Sequence, residues 1–145
     1  MKTLSKMLFT TLLIVSMSAL AGMEKFGNLE VNYNVITTDT LTPAIAKVYG
    51  IERSPRRGML TVAVTEPQAS GAPRHVNADI AASAVNLMDQ VLMVKMRSIQ
   101  EGNAVYYIGD FRIAPPDTLR FILKVGGMEA GKAHKIEFQK NFPAP

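Results

Sequence analysis

Residues 92–113 read LMVKMRSIQEGNAVYYIGDFRI, and this stretch decides the predicted fold class. Apolar and polar side chains alternate on both sides of the Gly-Asn pair at 102–103, a dipeptide typical of two-residue hairpin turns. That turn places apolar residues opposite apolar ones and a lysine opposite a carboxylate: Leu92 with Ile113, Val94 with Phe111, and Lys95 with Asp110. A slip of one residue would lose every match, so the stretch predicts an antiparallel hairpin in this register.

Further alternating segments flank the hairpin on both sides. They cover residues 29–35, 59–65, 75–87, 119–125 and 135–142. For part of the third segment, residues 78–87, a helix is the competing interpretation. Turn-forming residues separate the segments at 67–73, 115–117 and 126–131, the last of these predicted to be a flexible turn. About seven strands with short turns predict an all-β domain, an antiparallel β-sandwich of immunoglobulin-like size, with a small β-barrel as the alternative.

One short helix is predicted near the start of the domain. Thr42 can cap it, and Pro43 suits its first position because proline lacks the amide hydrogen that this position leaves unused. Gly50 is the expected stop. The caps therefore predict a helix that ends at Tyr49.

The first residues have the features of a cleavable export signal. Lys2 and Lys6 precede a short apolar run, residues 7–15, and small residues at 19 and 21 favour cleavage after Ala21. The run is too short for a membrane helix, which needs about 20 residues. Met23 stands where a lipoprotein would need a cysteine. We therefore expect residues 1–21 to be removed, residues 22–145 to form one domain without a stable membrane anchor, and the protein to be exported.

Composition excludes several classes of protein. The formal net charge is +4, but the predicted signal carries two of the lysines and no acid, so the mature chain is only mildly basic. This charge gives no reason to expect a nucleic-acid partner. The chain has no cysteine for a disulfide framework and no tryptophan, the usual core marker of antibody-type domains.

Several segments of the mature chain resemble a known family. They are residues 46–54, 57–58, 85–87, 101–111, 118–121 and 138–142, of which the run around Tyr106-Tyr107-Ile108-Gly109 is the most unusual. Together they are similar to the family called domain of unknown function 4426, small exported proteins of Gram-negative proteobacteria. The resemblance extends from Phe26 to Phe142. It implies a periplasmic protein with one β-rich domain, and it implies no activity and no site residues.

The residues give little support for catalysis or metal binding. His75 and His134, the only histidines, lack the spacing of a zinc site. Met93 and Met96 would point to opposite faces of one strand and cannot share a copper ion, whereas Met88 and Met96 are expected to fill gaps in the core. Three carboxylates lie near the hairpin (Glu101, Asp110 and Asp117), but Asp110 is better explained as the partner of Lys95. We expect no catalytic residues, no metal and no cofactor.

Arginines supply the most distinctive polar features. The loop at 53–58 carries Arg53, Arg56 and Arg57, which could hold a phosphate or carboxylate, or could simply be solvated. A second basic set, Arg112, Arg120 and Lys124, projects from the face opposite the predicted core. There Arg112 and Arg120 are expected to be neighbours, and such like charges hint at a bound anion.

Apolar residues are also predicted on that outer face: Ile99, Tyr106, Ile108 and Ile122. They could mark an interface, but cover by another strand or by the predicted helix is the favoured interpretation.

These features predict a non-enzymatic periplasmic module that binds an envelope protein or assists in the envelope, through a sheet face or an exposed edge strand. A carrier of a small molecule or anionic ligand is the alternative, and a hydrolase is the remote one. The candidate binding residues are Arg53, Arg56, Arg57, Arg112, Arg120 and Tyr106.

Overall fold

The computed structural model describes residues 21–129 and 131–145. Ten strands lie in this part of the chain: β1 Ala21–Phe26, β2 Leu29–Thr37, β3 Arg57–Glu66, β4 Arg74–His75, β5 Asp79–Val85, β6 Val91–Val94, β7 Arg97–Glu101, β8 Ala104–Arg112, β9 Asp117–Glu129 and β10 Lys132–Phe142. The predicted signal residues 1–20 lie outside the described residues. Within the described ranges, no helix is long and apolar enough to cross a membrane.

The strands form two antiparallel sheets. Sheet A has the order β1-β2-β3-β8-β7, and the short β4 also pairs with β3. Sheet B has the order β10-β9-β5-β6. The two sheets pack face to face and, in the described part of the chain, both keep free edges. The predicted antiparallel β-sandwich is therefore confirmed, and the alternative of a closed barrel is wrong.

Alternating side chains of both sheets fill the core. Leu60 from β3 and Leu123 from β9 are completely buried. Phe111 and Phe121 meet edge to face, with ring centroids 5.3 Å apart. This contact forms across the sandwich, because the loop after β8 carries the chain from sheet A to sheet B.

The register predicted for the central hairpin holds only near its turn. Pairing runs from Glu101 opposite Ala104 to Arg97 opposite Ile108. Beyond that point the chain leaves sheet A, and β6 pairs with β5 in sheet B. The predicted pairs Leu92–Ile113, Val94–Phe111 and Lys95–Asp110 are therefore wrong, and β3 takes the place beside β8.

Gly109 accommodates this crossing. A Cβ atom at Gly109 would lie 2.7 Å from Val94 Cγ1 and from Met96 Sδ, and 2.8 Å from the main-chain oxygen of Lys95. Any side chain there would collide with the crossing segment, so the absence of one lets the chain pass closely over β8.

Two other segments differ from their predictions. Residues 75–87 are extended rather than helical, but they split into β4 in sheet A and β5 in sheet B. The predicted turn at 126–131 is shorter than expected, because β9 continues to Glu129, with an irregularity in its pairing between Lys132 and His134. Strand β1 was not predicted.

The predicted helix is confirmed at both ends. Helix α1 spans Pro43–Tyr49, Thr42 Oγ1 accepts a hydrogen bond from the amide of Ile45 at 3.3 Å, and Gly50 has a positive φ of 64°. A 3-10 turn at Thr38–Thr40 precedes it.

The segment from this 3-10 turn to residue 56 covers the outer face of sheet A. It forms a second, smaller core, which we call the outer core: Ile51, Met59 and Ile108 with the partly buried Ile36, Leu41, Tyr49 and Ile99. The favoured interpretation of Ile99 and Ile108 as covered residues is confirmed.

Candidate functional site

Arg53 is committed to the protein's own main chain. Its Nε donates a hydrogen bond to the carbonyl of Leu41 at 2.6 Å, and its Nη2 donates to the carbonyl of Asp39 at 3.0 Å. The guanidinium therefore ties the loop at 53–58 to the 3-10 turn, because its planar fork can reach two carbonyls at once.

Arg57 is paired within sheet A. It forms a short ion pair with Asp110, and Glu52 Oε2 lies 4.0 Å from its Nη1. Arg57 also stands opposite Arg112 in the β3–β8 ladder. The carboxylate of Asp110 neutralises the charge of Arg57 and so reduces the repulsion between these two arginines.

The remaining predicted arginines are exposed and separated. Arg56 lies at the tip of the basic loop, and Arg112 lies at the end of β8. Arg120 lies on sheet B, where Glu137 Oε2 is 3.4 Å from its Nη1. The expectation that Arg112 and Arg120 are neighbours is wrong, because β8 and β9 belong to different sheets.

The two histidines lie on different faces. His75 packs edge-on against Tyr106 on the outer face of sheet A, and its Nδ1 lies 3.1 Å from the carbonyl oxygen of Val105. His134 stacks on Phe26 between the edges of the two sheets, with centroids 4.2 Å apart. The structure therefore does not bring the histidines together.

The three carboxylates near the hairpin are also dispersed. Asp110 pairs with Arg57, Glu101 accepts a hydrogen bond from the hydroxyl of Tyr49 at 2.5 Å, and Asp117 begins β9 in the other sheet. The hydrogen bond to Glu101 raises the pKa of Tyr49 above its ordinary value, since it stabilises the protonated phenol.

The methionines divide between core and surface. Met96 packs against the main core as predicted, whereas Met88 is 75% exposed, so its predicted role in the core is wrong. Within the described residues, no three or more histidine, cysteine, aspartate or glutamate side chains are grouped so that they could hold a metal ion.

A groove of about 550 Å³ lies at the end of the sandwich where β2 and β10 both finish, and we call it the end groove. One wall is the end of β2 with the 3-10 turn, and the other is the end of β10 with residues 143–145. Apolar side chains dominate its lining, which includes four prolines: Pro55, Pro115, Pro143 and Pro145. Proline fixes its own φ angle, so these four residues restrict the backbone of the rim.

Polar groups flank the apolar lining of the end groove. Asp39 lies on the β2 side and Lys140 on the β10 side. Lys140 follows the inward-facing Ile136 and Phe138 at a spacing of two residues, so the alternation of β10 directs it toward the sheet interior rather than the outer face. A charged residue in an otherwise apolar row is the sequence signal that could have identified this wall.

A smaller cavity of about 110 Å³ continues from Lys140 between the edges of the sheets. Tyr33 and Phe138 line it and stack with their centroids 4.5 Å apart. Burial and the nearby charge of Glu24 raise the pKa of the Tyr33 phenol above its ordinary value.

A buried hydroxyl fixes the β2 wall of the end groove. Thr38 is fully buried, and its Oγ1 donates to the carbonyl of Glu52 at 2.8 Å and accepts from the amide of Ser54 at 2.9 Å. These bonds join the 3-10 turn, which carries Asp39, to the segment that leads into Pro55. The loop at 53–58 therefore contributes Pro55 to the groove wall, and the hydrogen bonds of Arg53 hold the loop against the 3-10 turn.

Comparisons with known proteins agree with this architecture. A crystal structure of a DUF4426 family protein from Pseudomonas aeruginosa PAO1 has a TM-score of 0.70 and 32% identity, covering 86% of this chain and 97% of that one. FetP of uropathogenic Escherichia coli strain F11, expressed recombinantly in the periplasm, has a TM-score of 0.59 at 9% identity, covering 84% of this chain and 93% of FetP. A copper-bound variant of FetP from the same strain has the same score and identity, covering 83% of this chain and 93% of that one.

The FetP likeness, at this identity, shows a shared fold alone. None of the curated proteins matches the chain. The family model described as "Domain of unknown function (DUF4426)" matches residues 23–143. The chain therefore belongs to the DUF4426 family.

Proposed function

We propose that the protein is a non-enzymatic binding module of the periplasm that holds an extended, mainly apolar segment of an envelope protein in the end groove. The observation that carries the proposal is the groove itself. Its volume of about 550 Å³ falls within the range of about 300–1,000 Å³ that is usual for ligand sites. Its lining is apolar with a few polar groups, as such sites require.

The four prolines of the rim favour an extended occupant, because their fixed φ angles reduce the conformational entropy that the rim can lose on binding. Asp39 and Lys140 lie on opposite walls, so a bound segment with a cation on one side and an anion on the other would be oriented. The periplasmic address rests on the predicted export signal together with the family resemblance. N-terminal sequencing of the mature protein would test the signal by finding Gly22 first.

Site-specific photo-crosslinking tests the groove. A photoreactive residue at Ala144, in the groove wall, is expected to give one discrete protein adduct in cells. The same residue at Ala81, exposed on the outer face of sheet B, is the control and should not give that adduct.

A matched pair of charge reversals then tests specificity. Lys140→Glu should reduce the Ala144 adduct by about tenfold, whereas Lys124→Glu, on the outer face of the same sheet, should leave it unchanged. An Ala144 adduct that is absent, or that is equally strong from Ala81, would overturn the proposal.

A carrier of a small anionic ligand is the second candidate, because the ammonium group of Lys140 lies beside apolar walls. Native mass spectrometry of the protein isolated from the periplasm separates the two functions. A bound small molecule that is lost in Lys140→Glu and kept in Lys124→Glu would favour the carrier. We propose no metal for this chain from the FetP likeness, since that likeness shows the fold alone.

A further inference from the structure

Strand β6 is an edge of sheet B without the usual protection. The other edge strands carry charged residues: Lys25 in β1, Arg97 in β7 and Lys135 in β10. Such charges discourage pairing with another strand. Strand β6 consists of Val91, Leu92, Met93 and Val94, and it contains no charge and no proline.

The surface around this edge is apolar and ordered. Leu87 and Met88 in the preceding turn are 79% and 75% exposed, and Val91 and Met93 in β6 are 65% and 73% exposed. The turn is held by Asn86, whose Oδ1 accepts from the amides of Met88 at 2.9 Å and Gln90 at 3.0 Å. The exposed side chains are therefore presented by a fixed turn, and their exposure is costly unless something covers them.

Hydrogen bonding shows which groups of β6 face outward from the sheet edge. The carbonyl of Gln90 accepts from the amide of Asn86 at 3.1 Å, so it points toward β5. Because these directions alternate along a strand, Leu92 and Val94 also bond toward β5. The amides and carbonyls of Val91 and Met93 therefore point to the open edge.

We infer that β6 pairs antiparallel with β6 of a second copy of this chain, so that sheet B continues through a two-fold dimer. Side chains of the two copies lie on the same face of the joined sheet only if paired residues differ in number by zero or by an even number. With Leu92 on the two-fold axis, Val91 of each copy meets Met93 of the other in a hydrogen-bonded pair. Moving the axis to Met93 would leave a single such pair within the strands.

Charges at the ends of the ladder select a second copy as the occupant. The register centred on Leu92 brings Asp89, in the turn before β6 of one copy, near Lys95, just after β6 of the other. Both residues are exposed in the single chain. The uncharged strand thus meets an uncharged strand, and each flanking carboxylate meets an ammonium group. In a two-fold dimer the Asp89–Lys95 contact occurs twice, once at each end of the paired strands, whereas a partner of unrelated sequence has no reason to provide either contact.

Single cysteines test the dimer, because the chain contains no cysteine of its own. Opposed residues of a pair without hydrogen bonds have Cα atoms about 4.5 Å apart, which a disulfide can span. Under mild oxidation Leu92→Cys should form a disulfide-linked dimer, and it should do so faster than Met93→Cys and Val48→Cys. Val48 is 79% exposed on α1 and serves as the matched control.

Random collision would give the opposite order of rates, because it favours exposed residues and Leu92 is less exposed than Met93 or Val48. Leu92→Cys that links no faster than Val48→Cys would overturn the inference. Circular dichroism of the reduced variants checks that they are folded.

Sedimentation of the protein without any cysteine provides a second measurement. The wild type should associate to a dimer as its concentration rises. Lys95→Glu should weaken the dimer by about tenfold, and adding Asp89→Asn should recover part of the loss. Asparagine suits the positive φ of 58° at this position.

A wild type that stays monomeric, or a Lys95→Glu variant that associates normally, would overturn the inference. Capture of β6 by a foreign strand in place of a second copy would do the same. Strand β6 and the end groove lie on different parts of sheet B, so the Ala144 adduct reports on the proposed function independently.

Discussion

Replacing Thr38 by valine tests how the outer core is anchored. Valine has nearly the same shape as threonine, so the change removes the hydroxyl and little else. The amide of Ser54 and the carbonyl of Glu52 then lose the partner that the fully buried Thr38 supplies. A buried polar group without a partner costs about 1–3 kcal/mol, so we expect the free energy of unfolding to fall by about 2 kcal/mol.

Urea unfolding measures this loss directly. For a domain of this size about 2 kcal/mol corresponds to a fall in Tm of about 8 °C. Thr40→Val is the matched control, because its hydroxyl bonds to the carbonyl of Thr37 at 2.6 Å in an exposed position where water can replace it. The control should change stability by less than about 0.5 kcal/mol. Equal stability of the two variants would refute the reasoning.

Three further changes test other parts of the structure. Gly109→Ala should destabilise the protein by about 2 kcal/mol or more in urea, because its Cβ would meet main chain. Gly126→Ala, whose nearest neighbour would be 3.9 Å away, should cost less than about 1 kcal/mol. Arg53→Lys should speed amide exchange in residues 38–42, because lysine keeps the charge but cannot bond two carbonyls; unchanged exchange would contradict the clamp. Above about pH 10 the unfolded chain loses the phenol proton that the hydrogen bond to Glu101 retains in folded Tyr49, so stability should fall there in the wild type and less in Tyr49→Phe.

Features set by neighbouring residues were predictable from the sequence. Thr42, Pro43 and Gly50 define both ends of α1 through contacts within the helix itself. The turn at 102–103 likewise fixes the register of β7 and β8 next to it. In each case the atoms that decide the structure are a few residues apart, so their spacing in the sequence is enough.

The choice of partner strand was not predictable in the same way. Alternation assigns a face to Val94 and to Lys95, but it does not say to which sheet the strand belongs. Lys95 opposite Asp110 was chemically reasonable, yet β3 lies beside β8, so Met59 stands opposite Asp110 and Arg57 pairs with its carboxylate. A long-range pairing depends on the packing of the whole domain, and several partners satisfy the same local pattern.

The arginine loop shows the same limit for function. Three arginines within five residues suggest an anion site when only their charge is visible. The acceptors that engage Arg53 are main-chain carbonyls, which every residue possesses and which no sequence motif marks. The end groove was missed for a related reason, since its walls come from β2, β10 and two loops that are distant in sequence.

The outer core and the end groove share the contacts of Thr38, so the stability of the outer core should affect binding in the groove. Thr38 joins the 3-10 turn to the Glu52–Ser54 segment of the loop, and both flank the groove through Asp39 and Pro55. Thr38→Val should therefore weaken ligand capture at temperatures where the domain is still folded, because the wall loosens before the main core melts. Gly109→Ala, with a comparable loss of stability at a residue two strands away from β2 that does not line the groove, should leave capture intact under the same conditions. If both variants lost the Ala144 adduct equally, capture would depend on global stability, and the pinned wall would have no specific part in it.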